Sequence, residues 1–128
     1  MIEKRLLKIA SNTKFYGLKN NYTYKSNLKN TICGDKISIE ISLKKNIIQE
    51  LRYETEACIF CQASASALAN IAKNTNLSEL KKNLNRYLDF KKKVPKKFKD
   101  LTYLLKSRYM NRKDCILLPF KAFYKAIK

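Results

Sequence analysis

Three cysteines in unlike surroundings constrain this chain more than any other feature: Cys33 within Cys33-Gly34-Asp35, Cys58 ahead of Ala63-Ser64-Ala65-Ser66, and Cys115 within Arg112-Lys113-Asp114-Cys115. Soft thiolates joined by one carboxylate make a tetrahedral site for zinc or a small iron–sulfur cluster. Cys33 and Cys58 lie 25 residues apart, and Cys58 and Cys115 lie 57 apart. No local finger loop can span such distances, so the fold itself has to assemble the ligands. Gly34 frees the backbone to turn, which lets Cys33 and Asp35 reach one ion. A Cys-Gly-Asp triplet alone would also suit an ordinary loop with an exposed thiol. With Cys58 and Cys115 it makes Cys33, Asp35, Cys58 and Cys115 a candidate metal or cluster site.

The length of 128 residues suits a single domain over 1–128, enough to bury roughly two-thirds of the unfolded surface. The first apolar run is broken by Lys8, well short of the roughly 7–15-residue apolar core of a signal peptide. No run approaches the roughly 20 apolar residues that cross a bilayer. The expectation is a cytoplasmic protein without membrane attachment, in which cysteines serve as ligands or reactive thiols and not as disulfides. The formal net charge of +18 raises nucleic-acid binding as a function. The basic residues are mostly Lys and come with many Asn and Ile, a general compositional bias that disfavours that reading. Basic residues crowd the segment from Lys81 to Lys113 while Glu40, Glu50, Glu54 and Glu56 fall earlier. A basic flank beside thiolates favours ionised sulfur and an acidic protein partner.

Period-two alternation over Lys36–Leu43 predicts a half-buried strand, with Ile37, Ile39, Ile41 and Leu43 facing the core. Lys44-Lys45-Asn46 reads as a turn, Ile47–Glu54 as the returning strand, and 21–29 as a weaker strand. Ile2, Leu6 and Ile9 predict a short helix over 2–10. Helical spacing resumes after Cys58 with Ala63, Ala67, Leu68 and Ile71; Asn76 or Ser78 can cap the next helix, whose stripe is Leu80, Leu84 and Leu88. Lys91–Lys97 reads as a basic linker, Phe98, Leu101, Leu104 and Leu105 as the start of another helix, and about Leu118 to Ile127 as the last, with Pro119 in or before its first turn. The fold class is α+β: a three-stranded antiparallel sheet packed against several helices.

The stretch from Asn30 through Cys33-Gly34-Asp35 to Ile37, followed by the strands and then Ala57-Cys58-Ile59-Phe60-Cys61-Gln62-Ala63-Ser64-Ala65-Ser66, resembles the U-type scaffold family of iron–sulfur cluster biogenesis (IscU, SufU and the N-terminal domain of NifU). Ser11–Gly17 looks like a degenerate form of the family's N-P-R-N-x-G entry. The resemblance covers nearly the whole chain. The IscU branch has a histidine before its third cysteine and an L-P-P-V-K sequence nearby, whereas this chain has no histidine and shows Asp114 before Cys115. The long gap to Cys115, Arg112-x-x-Cys115 and Leu118-Pro119-Phe120-Lys121-Ala122 look more like the SufU branch.

That resemblance implies the compact SufE/NifU-like scaffold fold and a non-enzymatic scaffold that carries a transient iron–sulfur cluster. A pyridoxal-phosphate-dependent cysteine desulfurase would supply its sulfur, and apo iron–sulfur proteins or a carrier would accept the cargo. The alternative is a zinc-dependent sulfurtransferase of a SUF-type system, in which Cys33 takes a persulfide. An oxygen ligand from Asp35 would be a labile corner of either site. Arg112 is expected either to contact the metal-bound thiolates or to be a solvated surface residue. Cys61 stands where relatives usually have serine, and is expected to pack as a small apolar residue or to act as an auxiliary thiol.

Overall fold

Alternation from Lys36 to Ser42 underlies β2 (Lys36–Lys44), the central strand, between β1 (Tyr24–Lys29) and β3 (Ile47–Glu56). The computed structural model describes residues 3–31, 34–88, 96–104 and 107–127. Both pairings are antiparallel, with Ile39 opposite Ser26 on one side and Tyr53 on the other. Ile37, Ile39 and Ile41 are buried as the alternation predicts. Leu43 is only partly buried, because a register shift between Ser42 and Leu43 breaks the alternation there.

The hairpin turn places Lys45 and Asn46 at φ 52° and 66°, the paired left-handed conformation of a two-residue turn whose twist matches the strands. Its tip is tied to the third helix, since the Leu77 N–H donates to the Asn46 carbonyl at 2.9 Å. β1 begins three residues later than the sequence predicts. Asn20 turns the chain at φ 60°, and the buried Glu40 on the polar face of β2 accepts the Lys19 and Asn20 N–H groups at 2.9 and 3.1 Å.

Two helices cover the apolar face of the sheet: α2 (Ile59–Ala72) lies against β3, and α5 (Lys113–Ile127) against β1 and β2. The first helix, α1 (Lys4–Ser11), and the short α4 (Lys99–Leu104) pack on α2 in turn. Small residues make this possible. Ala63, Ser64, Ala65, Ser66, Ala67 and Ala69 are all buried, so neighbouring backbones approach α2 closely. The buried hydroxyls need partners: Ser66 Oγ donates to the Asn12 carbonyl at 2.8 Å, and Ser64 Oγ to the Ile116 carbonyl at 2.6 Å.

The helix α3 (Leu77–Leu88) is capped by Asn76, whose Oδ1 accepts the Ser78 and Glu79 N–H groups at 2.9 and 3.2 Å. Leu80 and Leu84 are buried and Leu88 partly so. Of the expected basic linker, 91–95 lie outside the described residues, and Lys96–Phe98 form a single 3-10 turn leading into α4. Leu105 also lies outside them.

The last helix departs most from expectation. It starts at Lys113, five residues before Leu118, and continues through Pro119. Pro119 has no N–H for the Cys115 carbonyl and its ring crowds the preceding turn. One residue on, the Ile116 carbonyl accepts the Ser64 hydroxyl of α2, which ties this turn of the helix to its neighbour.

Candidate metal centre

The turn from β1 to β2 sets the first described ligand candidate. The Gly34 N–H donates to the Asn30 carbonyl at 2.8 Å and the Asn30 N–H to the Asp35 carbonyl at 2.7 Å. This closure requires φ +80° at Gly34, a conformation natural to glycine. Asp35 is thereby left at the end of β2, 7 % exposed.

Cys58 is the N-cap of α2, in extended conformation at φ −70° and ψ 167°. Its N–H donates to Asp35 Oδ1 at 3.3 Å and its Sγ to Asp35 Oδ2 at 3.6 Å. Asp35 therefore does capping work that the Cys58 side chain does not. Cys115 enters from the first turn of α5 and is 5 % exposed. One carboxylate oxygen of Asp35 and the sulfurs of Cys58 and Cys115 all lie within 4.8 Å of one another. Three segments distant in sequence thus converge at one point.

Burial pushes the Cys115 thiol well above its ordinary range, and hydrogen bonds and charge from Asp35 and Cys58 add to the rise. A thiol in that state resists losing its proton to water but gives it up to a cation, which offsets the crowded negative charge. The donor set, two sulfurs and an oxygen, suits zinc and iron. Sulfurs on one tetrahedral zinc stand roughly 3.7 Å apart, given bonds of about 2.3 Å. A contraction of about 1 Å at most would bring the present positions onto one ion.

Cys33 lies outside the described residues, between Thr31 and Gly34. Cys61, one turn after Cys58, is fully buried within the hydrophobic core and is not one of the converging group. Arg112 is exposed, and its guanidinium sits 5.8 Å from the centre of the Phe60 ring, over the first turn of α2. Phe60 packs edge-on against Tyr109 at 5.1 Å, and Tyr109 against Tyr103 at 5.9 Å. Arg5 covers the Tyr103 ring at 4.4 Å. Sequence analysis did not anticipate this row of rings beside the cysteines. Phe60 and Tyr109 belong to no apolar stripe, and their sole sequence signal is aromaticity within a few residues of a cysteine.

Among the described residues no helix is long and apolar enough to cross a bilayer.

Comparison with known proteins matches residues 2–127 to the NifU-like N terminal domain family. The iron–sulfur cluster assembly scaffold protein IscU of Thermotoga maritima is 25 % identical over 135 residues, covering all of this chain and 93 % of its own. Among solved structures, one from Fervidobacterium islandicum, described as a cluster assembly scaffold for the SUF system, superposes with a TM-score of 0.86 at 20 % identity, covering 99 % of this chain and 96 % of that one. The N-terminal part of a NifU-like protein from Brucella abortus gives 0.81 at 25 % identity, over 98 % and 90 %. Fold, strand order and the match over nearly the whole chain agree with the similarity carried by the cysteine segments: this chain belongs to the NifU-like N-terminal domain family of U-type scaffolds.

Proposed function

We propose that this protein is an iron–sulfur cluster assembly scaffold that holds its cargo on Cys33, Asp35, Cys58 and Cys115. The observation that carries the reading is the convergence of Asp35, Cys58 and Cys115 from three separate segments within 4.8 Å. Iron and sulfide are the substrate of such a site. The sulfur would come from a cysteine desulfurase as a persulfide: a thiolate attacks the outer sulfur, the donor's S–S bond breaks, and the donor leaves as a thiolate. Cys33 is the acceptor in this reading. Family membership supports a desulfurase and apo-proteins as the general classes of partner.

The surrounding residues have distinct tasks. Asp35 caps α2 through the Cys58 N–H, so its carboxylate is held ready by a contact independent of the cargo. As a carboxylate it binds iron in a sulfur-rich site less tenaciously than thiolate does, giving the site one exchangeable corner. Arg112, seated on Phe60, places positive charge over the first turn of α2.

A second reading, a zinc-dependent sulfur acceptor of a SUF-type system, is favoured by the compactness of the three donors, which suits one ion. Anaerobic incubation with iron, cysteine and a desulfurase separates the two. A scaffold develops a coloured, sulfide-containing product that an apo-ferredoxin then takes up. A zinc relay keeps its zinc, stays colourless and accelerates the desulfurase. Neither result, with a folded protein, would overturn both.

A further inference from the structure

The outer surfaces of α3 and of the C-terminal half of α5 meet in a groove remote from the cysteines. Lys81, Lys121, Tyr124, Lys125 and Ile127 line a hollow of about 490 Å³. A second, of about 510 Å³, adjoins it through Lys81 and is lined by Ser78, Lys82, Asn85 and Arg86 as well. The Tyr124 hydroxyl donates to Asn85 Oδ1 at 2.6 Å and fastens the two helices together beneath the rim. Lys125 is held by the Asn27 carbonyl at 2.8 Å. The cations of the rim are thus displayed on rigid helices.

Among the described residues no carboxylate lines either hollow. The acidic residues of these two helices, Glu79 and Asp114, sit in their first turns. Five cations therefore surround a floor whose accessible apolar part is Ile127 and the half-buried Tyr124 ring. Their mutual repulsion is relieved by an anionic occupant. A sugar–phosphate backbone would satisfy the cations but leave the Ile127 floor uncovered, whereas an acidic segment with apolar side chains on one face satisfies both.

We propose that this groove docks an acidic, amphipathic helical segment of a partner protein. Carboxylates of the segment meet Lys81, Lys82, Arg86 and Lys121, and its apolar side chains cover Ile127 and the edge of Tyr124. Lys121 and Lys125 follow Cys115 by six and ten residues, about 9 and 15 Å along the helix axis. A partner held here leaves the cysteines uncovered, so the surface is independent of the cargo site and of its assignment.

The test uses the full chain and fluorescence anisotropy with three labelled probes: a helix-forming peptide of Glu and Leu with its leucines on one face, a poly-glutamate of equal charge, and an oligo-uridine. Rim charges set affinity and salt dependence, so Lys81→Glu/Lys121→Glu should weaken the Glu/Leu peptide by about tenfold or more. Lys8→Glu/Lys44→Glu, with the same change in net charge at exposed sites elsewhere, should weaken it by no more than about twofold. Ile127→Ala should weaken the Glu/Leu peptide and leave poly-glutamate unchanged. Equal losses in the two double variants would overturn the proposal, as would groove-dependent binding of oligo-uridine tighter than that of the peptide. Metal content of every variant should equal wild type; its loss would reflect the cargo site or the fold and not the groove.

Discussion

The hydroxyl of Ser64 donates to the carbonyl oxygen of Ile116 at 2.6 Å, one residue past the carbonyl that Pro119 leaves without its helical donor. This bond pins the first turn of α5 to α2, and with it Cys115 to the helix that Cys58 caps. Ser64→Ala would remove a buried hydrogen bond between α2 and α5, at a cost of about 1 kcal/mol. Urea unfolding should show that loss, accompanied by weaker metal retention. Unchanged stability would mean that the α2–α5 contact does not depend on this bond.

Cys58→Ser and Cys115→Ser should each reduce metal affinity by about tenfold or more, because a neutral hydroxyl is a far poorer ligand than a thiolate. Cys61→Ser places a hydroxyl in the core and should lower stability by about 1–2 kcal/mol while metal stoichiometry stays at the wild-type value. Metal analysis of the three variants checks the assignment. A Cys61 variant that loses its metal while the Cys115 variant keeps it would reverse it.

Asp35→Ala tests the exchangeable corner. Thiolates remain, so cargo should stay bound but leave more slowly, seen as a lower rate of transfer to an apo-acceptor. The variant also loses the bond to the Cys58 N–H, costing about 1 kcal/mol of stability. An unchanged transfer rate would remove Asp35 from the account.

The metal-free protein should lose stability in alkali. Burial raises the Cys115 thiol above its ordinary value, so the folded state keeps a proton that the unfolded chain gives up. The contribution is fully present below the unfolded value, near pH 8.5, and declines by about 1.4 kcal/mol per unit above it. Above about pH 10 the buried hydroxyls of Tyr87 and Tyr103, also raised by burial, act with the same sign. Denaturant titrations between pH 8 and 10 should show the decline in wild type and a flatter profile in Cys115→Ala. Bound metal should abolish it in wild type, since the proton has then already left.

Much of this was legible in the sequence for identifiable reasons. Ile37, Ile39 and Ile41 write the central strand directly, because one face of it is core and the other is polar. Asn46 marks the hairpin and Asn76 the cap of α3, each through a local preference that no tertiary contact overrides. Pro119 misled because α5 runs through it while packed against α2 and the sheet, contacts that come from segments distant in sequence, among them Ser64, 52 residues before Ile116. The register shift at Leu43 is likewise a property of the strand pair. Asp35, Cys58 and Cys115 could be named from residue type and setting, but their convergence depends on α5 lying against the sheet. The Phe60–Tyr109 contact, which seats Arg112, exists only once α2 and the turn before α5 have packed together.

The most direct test of the scaffold assignment is the metal and acid-labile sulfide content of the protein purified without oxygen, measured beside Cys58→Ser and Cys115→Ser. The account predicts iron with matching sulfide in wild type after supply by a desulfurase, and marked loss of both in each variant. Wild-type protein that is folded yet takes up neither iron nor sulfide, or variants that hold as much as wild type, would contradict it.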